Sequence, residues 1–297
     1  MKAVQLAEHG GPEVLRVVEV EEPHAGPGEI RIAVRAAGVN ALDWKLRQGF
    51  MPGGDLPAGT GFDAAGVVDE VGEGVTGVAV GDAVFGAGRA TYAEHAVLTA
   101  WAPKPDALSF EEAAGYPTPV ETGRRILNEV GVQPGQTLLV SGAAGGVGTA
   151  VVQLAKARGI TVIGTAGEGN QEHVRSLGAT PTTYGDGFTD RVRELAPGGV
   201  DAALDIAGSG VVPQLIELTG DPAKVLSIAD FTAPQHGAKV SSTSVDRPAA
   251  LAEAAELVEK GSLRIPVARA FPLAEAGEAQ AASQRGHVTG RFVVTVP

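Results

Sequence analysis

The chain reads as an α/β protein in which a doubly wound parallel-sheet domain is joined to a second, β-rich, barrel-like domain. Three observations predict this. From Thr137 onward, strand-like segments alternate with helical ones, the pattern of a parallel sheet with right-handed crossovers and helices on both faces. Before about residue 122 the apolar runs are short, alternate with polar residues and are punctuated by Gly and Pro, as in antiparallel strands. Between Leu138 and Arg158 a buried strand, a glycine turn and an amphipathic helix follow one another directly.

In the first part, Glu29 to Ala36 alternates polar and apolar residues, and Gly66 to Val71, Asp82 to Phe85 and Tyr92 to Val97 follow as short strands. Ser109-Phe-Glu-Glu112 is a capping-box pattern and opens a helical stretch that Pro117 and Pro119 should interrupt before it resumes through Val130. The second part is expected to run strand Thr137 to Val140, helix to Arg158, strand Thr161 to Thr165, helix Asn170 to Leu177 and a short strand ending at Tyr184. Helix Phe188 to Leu195, strand Val200 to Ile206, helix Val211 to Leu218, strands Lys224 to Ile228 and Lys239 to Ser242, and helix Pro248 to Lys260 complete it. The tail returns to strand Ile265 to Phe271, a helix near Leu273 to Gln284 and a last strand Arg291 to Val296, which we assign to the first domain. The expected domains are therefore residues 1–122 with 265–297, and residues 123–264.

Composition narrows the function classes. The 297 residues suit two domains, and 44 % hydrophobic with 20 % charged residues is a globular balance. A formal net charge of −12 gives no electrostatic footprint for nucleic acid or an anionic membrane. No apolar run approaches the length of a bilayer span and the first residues lack a signal-peptide pattern, so a cytoplasmic protein is expected. There is no cysteine, which removes every zinc site built on Cys ligands, and the six histidines form no ligand pair; no metal is expected.

The glycine turn carries the chemistry. Gly142, Gly145 and Gly148 are spaced Gly-x-x-Gly-x-x-Gly between strand and helix, where glycine lets the backbone approach a dinucleotide pyrophosphate and the helix start attracts the anion. No Lys follows Gly148, which disfavours a nucleoside-triphosphate loop.

With these motifs in place, the chain resembles the medium-chain dehydrogenase/reductase superfamily, and within it the zinc-independent quinone oxidoreductase and enone reductase branch related to zeta-crystallin. Met1-Lys-Ala-Val, Gly38-Val-Asn-Ala-Leu-Asp-Trp-Lys45, Gly61-Phe-Asp-Ala-Ala-Gly-Val-Val68, Val80-Gly-Asp-Ala-Val-Phe-Gly86 and Gly142-Ala-Ala-Gly-Gly-Val-Gly148 occur in the family's order. The resemblance implies a Rossmann domain beside a GroES-like barrel. It also implies that the metal ligands are gone, because Asn40 stands near a zinc-ligand Cys position of the alcohol dehydrogenases and Gly61-Phe62-Asp63 where they carry Gly-His-Glu. In the family, the counterparts of Asn40 and Asp43 line the cleft beside the nicotinamide, and Lys45 looks able to steady an enolate or relay a proton. From the residues alone, Asn40 and Asp43 read as an ordinary helix start, Lys45 as a solvated lysine, and Tyr92 and Tyr116 as structural.

The resemblance implies cofactor contacts at Thr122, Gly142, Ala144, Gly145, Gly146, Val147, Thr165, Ala166, Asn170, Tyr184, Ala207, Ile228 and Arg285. The second strand ends Gly164-Thr165-Ala166 without the carboxylate that would repel a 2′-phosphate, which favours NADPH. Yet the loop Gly167-Glu-Gly-Asn170 holds no Arg or Lys, and Glu168 could itself approach the ribose; Arg285, His287 or Arg291 could compensate from the tail. The expected activity is hydride transfer from NADPH to a quinone or an α,β-unsaturated carbonyl compound, in a homodimer with no nucleic-acid or membrane partner. The alternative is a pyridine-nucleotide-binding sensor or partner-binding module with little turnover. The substrate wall is expected in the loop Gln48 to Pro57 and near Phe231.

Overall fold

The computed structural model describes residues 1–50, 55–241 and 243–297. The middle of the expected substrate loop Gln48 to Pro57 and the end of the expected strand Lys239 to Ser242 thus lie outside the described residues.

The first compact unit comprises Met1–Thr118, Arg247–Gly261 and Ile265–Pro297. It begins with strands β1 (Lys2–Leu6), β2 (Leu15–Glu19) and β3 (Ile30–Gly38), the short helix α1 (Ala41–Arg47), and strands β4 (Ala58–Gly59), β5 (Asp63–Val71), β6 (Ala83–Arg89) and β7 (His95–Pro103). Helix α2 (Phe110–Ala114) starts at the expected capping box, with the Glu112 amide donating to Ser109 Oγ at 3.1 Å and the Ser109 amide to Glu112 Oε2 at 3.0 Å. Helix α3 (Pro117–Val130) then begins at the proline expected to interrupt it, because both prolines fall in the first turn, where a missing N–H breaks no helical bond.

The second unit, Pro119–Asp246 with Ser262–Arg264, alternates β8 (Thr137–Ser141), α4 (Gly146–Ala157), β9 (Thr161–Thr165), α5 (Gln171–Ser176), β10 (Thr180–Thr182), α6 (Phe188–Leu195), β11 (Ala202–Asp205), α7 (Val212–Thr219), β12 (Val225–Ser227) and β13 (Lys239–Val240). All its strand pairs are parallel, in the order β10-β9-β8-β11-β12-β13. The order reverses between β8 and β11, and ligands of such sheets bind outside the carboxyl ends of the strands at that switch point. Leu139, Ile163, Phe188, Val192, Ala203, Leu215 and Val225 fill the core between sheet and helices.

The chain then gives α8 (Arg247–Glu259), β14 (Val267–Pro272), α9 (Ala276–Arg285) and β15 (Arg291–Thr295). Helix α8 packs on β7 and belongs to the first unit, whereas the sequence placed it in the second. In the first unit's main sheet, β14-β15-β3-β5-β6-β7, β3 also pairs with β7, so β3, β5, β6 and β7 close on themselves as a barrel. Ile30, Ile32, Val34, Val68, Val84, Leu98, Phe271 and Val294 form its core. Tyr92, read as a strand residue, precedes β7 and is fully buried. Tyr116 is structural as read, its hydroxyl accepting from the Ile265 amide at 3.1 Å.

Candidate active site

In the second unit the glycine turn joins β8 to α4. Gly142 has φ +88°, a conformation that L side chains rarely adopt, and its amide donates to Thr165 Oγ1 at 3.2 Å. A Cβ on Gly148 would stand 2.1 Å from the Gly142 carbonyl oxygen, so this glycine permits the close passage of helix over turn. Gly145 differs. It is the N-cap of α4 in an extended conformation, φ −72°, and a Cβ there would meet nothing within 4 Å. The open side of Gly145 and the amides of the first turn of α4 leave a cradle suited to an anion. Ala144, Gly146 and Val147 belong to the same turn. Ala207 abuts it, its amide nitrogen lying 3.2 Å from a Cβ built on Gly142.

Hydrogen bonds that the sequence did not announce shape the rest of this edge. The Ala143 amide donates to the Thr165 carbonyl at 3.0 Å and the Ala166 amide to Thr182 at 3.1 Å, which ties the ends of β8, β9 and β10 together. Gln171 Nε2 donates to the carbonyls of Ala166 at 2.7 Å and Thr182 at 3.2 Å. His173 Nε2 lies 3.0 Å from Thr149 Oγ1 on α4, and burial pulls the imidazole below its ordinary pKa. At the ends of β11 and β12, buried Asp205 accepts from the Gly208 amide at 3.0 Å and from Ser227 Oγ at 2.8 Å. Ser227 Oγ in turn accepts from the amides of Ala229 and Asp230, at 3.1 and 2.8 Å. Ile228 sits in the loop so fixed, its amide donating to the Asp205 carbonyl at 3.0 Å. Thr122 is buried on α3; Asn170 lies in the turn after β9, and Tyr184, after β10, is exposed.

The first unit holds a buried polar cluster around Asn40. Asn40 is the N-cap of α1 and is 3 % exposed; its amide N–H donates to Asp43 Oδ2 at 2.7 Å. Its side chain is spoken for on both sides, with Nδ2 donating to Asp63 Oδ2 at 3.0 Å and Oδ1 accepting from Arg291 Nη2 at 2.7 Å. Asp63, at the start of β5, also accepts from the Thr118 amide at 3.1 Å and from Thr118 Oγ1 at 2.7 Å, and lies 3.5 Å from Arg291 Nη2. Tyr92 donates its hydroxyl proton to Asp43 Oδ2 at 2.9 Å. Asp43 Oδ1, Thr91 Oγ1 and Arg291 Nε are buried without a partner among the described residues.

Two carboxylates and one guanidinium are sealed in this cluster, so full ionisation would leave an unbalanced negative charge in a medium that solvates it poorly. Burial pushes the Asp43 carboxyl up to about 7, against the pull of the Asn40 N–H and the Tyr92 hydroxyl. It raises Asp63 as well, with Arg291 opposing, and it lowers Arg291; for that pair desolvation outweighs mutual attraction. The Tyr92 hydroxyl is held well above its usual range by burial and by the Asp43 carboxylate.

The structure therefore places the three residues read as catalytic along one short segment but in different surroundings. Asn40 and Asp43 are buried in the cluster; Lys45 is half-buried one turn on, its Nζ 5.7 Å from the centre of the Trp44 ring. Arg291, one candidate for a 2′-phosphate, is corrected: at 7 % exposure it is committed to Asn40 and Asp63. Arg285 ends α9 in the first unit and pairs with Glu278 at 3.3 Å. The sequence did hold a signal for Asp63 and Arg291, since Asp63 directly precedes the apolar run Ala64 to Val68 and Arg291 the run Phe292 to Val294, and a charge buried at the head of such a run needs a partner. Among the described residues, no three His, Asp or Glu are placed to hold a metal ion, and no helix is long and apolar enough to cross a membrane.

A glycine turn at the switch point of a doubly wound sheet, joined in one chain to a closed barrel, defines the class of two-domain nucleotide-linked dehydrogenases. Comparison with known proteins agrees. Residues 26–106 match the alcohol dehydrogenase GroES-like domain and residues 177–294 the zinc-binding dehydrogenase family. A quinone oxidoreductase of Pseudomonas aeruginosa is 31 % identical over 99 % of this chain and 99 % of its own. Among solved structures, the quinone oxidoreductase of Coxiella burnetii superposes with a TM-score of 0.86 at 31 % identity, covering 100 % of this chain and 99 % of that one. The Escherichia coli quinone oxidoreductase complexed with NADPH reaches 0.88 at 27 % identity, covering 100 % of both chains. The chain belongs to the quinone oxidoreductase branch of the medium-chain dehydrogenase/reductase superfamily.

The buried cluster yields a pH signature. Asp43 keeps its proton in the fold up to about pH 7, whereas in the unfolded chain it releases the proton near the ordinary carboxylate value of about 4. Between those values only the unfolded chain has lost the proton, so stability falls as pH rises from about 4 to about 7 and then levels off. In Asp43→Asn an amide replaces the protonated carboxyl and this contribution disappears. Urea unfolding should show the parent losing on the order of 4 kcal/mol more than the variant across that window, roughly 1.4 kcal/mol per pH unit. Parallel stability profiles for the two proteins would mean that Asp43 is ionised in the fold.

Proposed function

We propose that this chain is an NADPH-dependent oxidoreductase that reduces a quinone, or the conjugated double bond of an enal or enone, without zinc. The observation that carries the reading is the cradle at Gly145, a glycine with an open face at the start of a helix beside the sheet's switch point. Relatives named as quinone oxidoreductases, one of them solved with NADPH, support the substrate class and the cofactor.

The bound nicotinamide supplies the hydride. The chain's own residues bind and orient. Amides at the start of α4 would hold the pyrophosphate, and the pinned loops after β9, β11 and β12 would line the ribose and nicotinamide positions. The donor set favours a metal-free route: the chain has no cysteine, and Asn40 and Asp63 spend their polar atoms on each other, Thr118 and Arg291. With no metal to polarise a simple ketone, a conjugated acceptor fits best, because the arriving charge delocalises onto oxygen, where hydrogen-bond donors can hold it. Lys45 is the side chain we assign to that oxygen, and the buried cluster keeps α1, which carries Lys45, in place through its N-cap.

The test is a panel of quinones, enals, enones and simple alcohols with NADPH. Turnover of conjugated acceptors that survives chelation is expected. Tight cofactor binding without turnover would favour a nucleotide-binding module, and alcohol oxidation lost on chelation would contradict a metal-free mechanism.

Two variants sharpen it. Gly145→Val fills open space in the free protein, so it should raise the NADPH dissociation constant at least about tenfold, or about 1.4 kcal/mol, while leaving the urea midpoint nearly unchanged. Undiminished binding, measured by calorimetry, would move the pyrophosphate elsewhere. Lys45→Met should lower kcat/KM for the best acceptor by roughly ten- to a hundredfold with little effect on NADPH affinity, since its interaction strengthens as charge develops. Parent-like kinetics would leave Lys45 a surface lysine.

A further inference from the structure

The adenosine end of the second unit is where the charge pattern departs from what a 2′-phosphate needs. In a doubly wound sheet the adenosine ribose lies at the end of the strand beside the glycine-turn strand, here β9. Two loops meet at that point: Ala166-Gly-Glu-Gly-Asn170 after β9 and Thr183-Tyr-Gly-Asp-Gly187 after β10. A Cβ built on Gly167 would lie 3.5 Å from the Tyr184 hydroxyl, so the two loops are neighbours. Both are pinned from below by Gln171, which donates to Ala166 and Thr182.

These two loops contain Glu168 and Asp186 and no lysine or arginine. The arginines of the helices that follow these loops, α5 and α6, have partners of their own. Arg191, on α6, is turned inward: Nη1 donates to the Asp186 carbonyl at 2.7 Å and Nη2 to Thr183 at 3.1 Å and Tyr184 at 3.4 Å. Its Nε is buried without a partner among the described residues, so the guanidinium braces the loop from beneath. Arg175, on α5, pairs with Glu172, and Arg193, on α6, with Asp190 and Glu217. Glu168, by contrast, is exposed at the head of the single turn Glu168–Asn170.

A dianionic phosphate placed here meets a carboxylate and, on the described residues of these two loops, no lysine or arginine, whereas a ribose 2′-hydroxyl can donate to that same carboxylate. Resting on the oxidoreductase reading above, we propose that this enzyme accepts NADH about as well as NADPH, with Glu168 as the residue that sets the balance. Glu168 carries no part of the fold's interior, so its substitution reads out specificity.

Dissociation constants for NADPH, NADH, 2′,5′-ADP and 5′-ADP, measured by calorimetry on the full chain and on Glu168→Lys and Glu168→Gln, test this. The parent should bind NADH within about tenfold of NADPH, and 5′-ADP within about tenfold of 2′,5′-ADP. Glu168→Lys should shift both ratios toward the phosphorylated ligand by at least about tenfold, and Glu168→Gln by less, with the Lys shift shrinking at high salt. A parent preference for NADPH beyond about tenfold, or ratios unmoved in Glu168→Lys, would overturn the proposal. Absence of binding by either dinucleotide would instead overturn the oxidoreductase reading on which it rests.

Discussion

A carboxylate sealed from water must have its charge answered within hydrogen-bond reach, and in this protein Asp63 imposes that condition on the first unit. The answer comes from three distant stretches of chain: Asn40 before α1, Thr118 at the start of α3 and Arg291 at the start of β15. Each satisfies an oxygen that would otherwise cost several kcal/mol, so β5, β15 and the first turns of α1 and α3 are held in one geometry. The same bonds fix the carboxamide of Asn40 and, through the bond from its backbone amide to Asp43, the entry into the helix that carries Lys45. The buried network thereby fixes the start of α1, the helix on which Lys45 sits.

The second unit solves a different problem. A pyrophosphate needs donors and close backbone approach but little side-chain chemistry, and the turn from Gly142 to Gly148 provides this with three glycines that do three separate things. Gly142 takes the left-handed conformation, Gly148 lets helix pass over turn, and Gly145 leaves its face open. Buried Asp205 and Ser227 and half-buried Gln171 then tie the neighbouring loops to the strand ends by hydrogen bonds.

Much of this was legible in the sequence because it is local. The helix Phe188–Leu195 falls where its periodicity placed it, the Ser109 capping box forms, and the glycine spacing marks the turn. What escaped is long-range. Arg291 and Asp63 are 228 positions apart, and nothing in either segment names the other; Arg291 read as a possible phosphate ligand until the sheet order, with β15 and β5 on either side of β3, brought the two residues within reach. The helix Arg247–Glu259 follows the parallel-sheet elements in sequence yet packs on β7, because adjacency in the chain does not decide which core receives an apolar face. Asn40 and Asp43 were legible as a helix start, but their depth of burial is a tertiary property that spacing cannot express.

The first unit depends on its buried charges acting as one unit. A double-mutant cycle on Asp63→Asn and Arg291→Met, followed by urea unfolding at neutral pH, measures that directly. Each single substitution leaves an uncompensated buried group and should cost roughly 3–5 kcal/mol. The double variant should cost less than the sum by at least about 1 kcal/mol, since removing both partners leaves neither charge stranded. Strictly additive losses would show that the two groups do not answer each other, and that the cluster around Asn40 is assembled by something else.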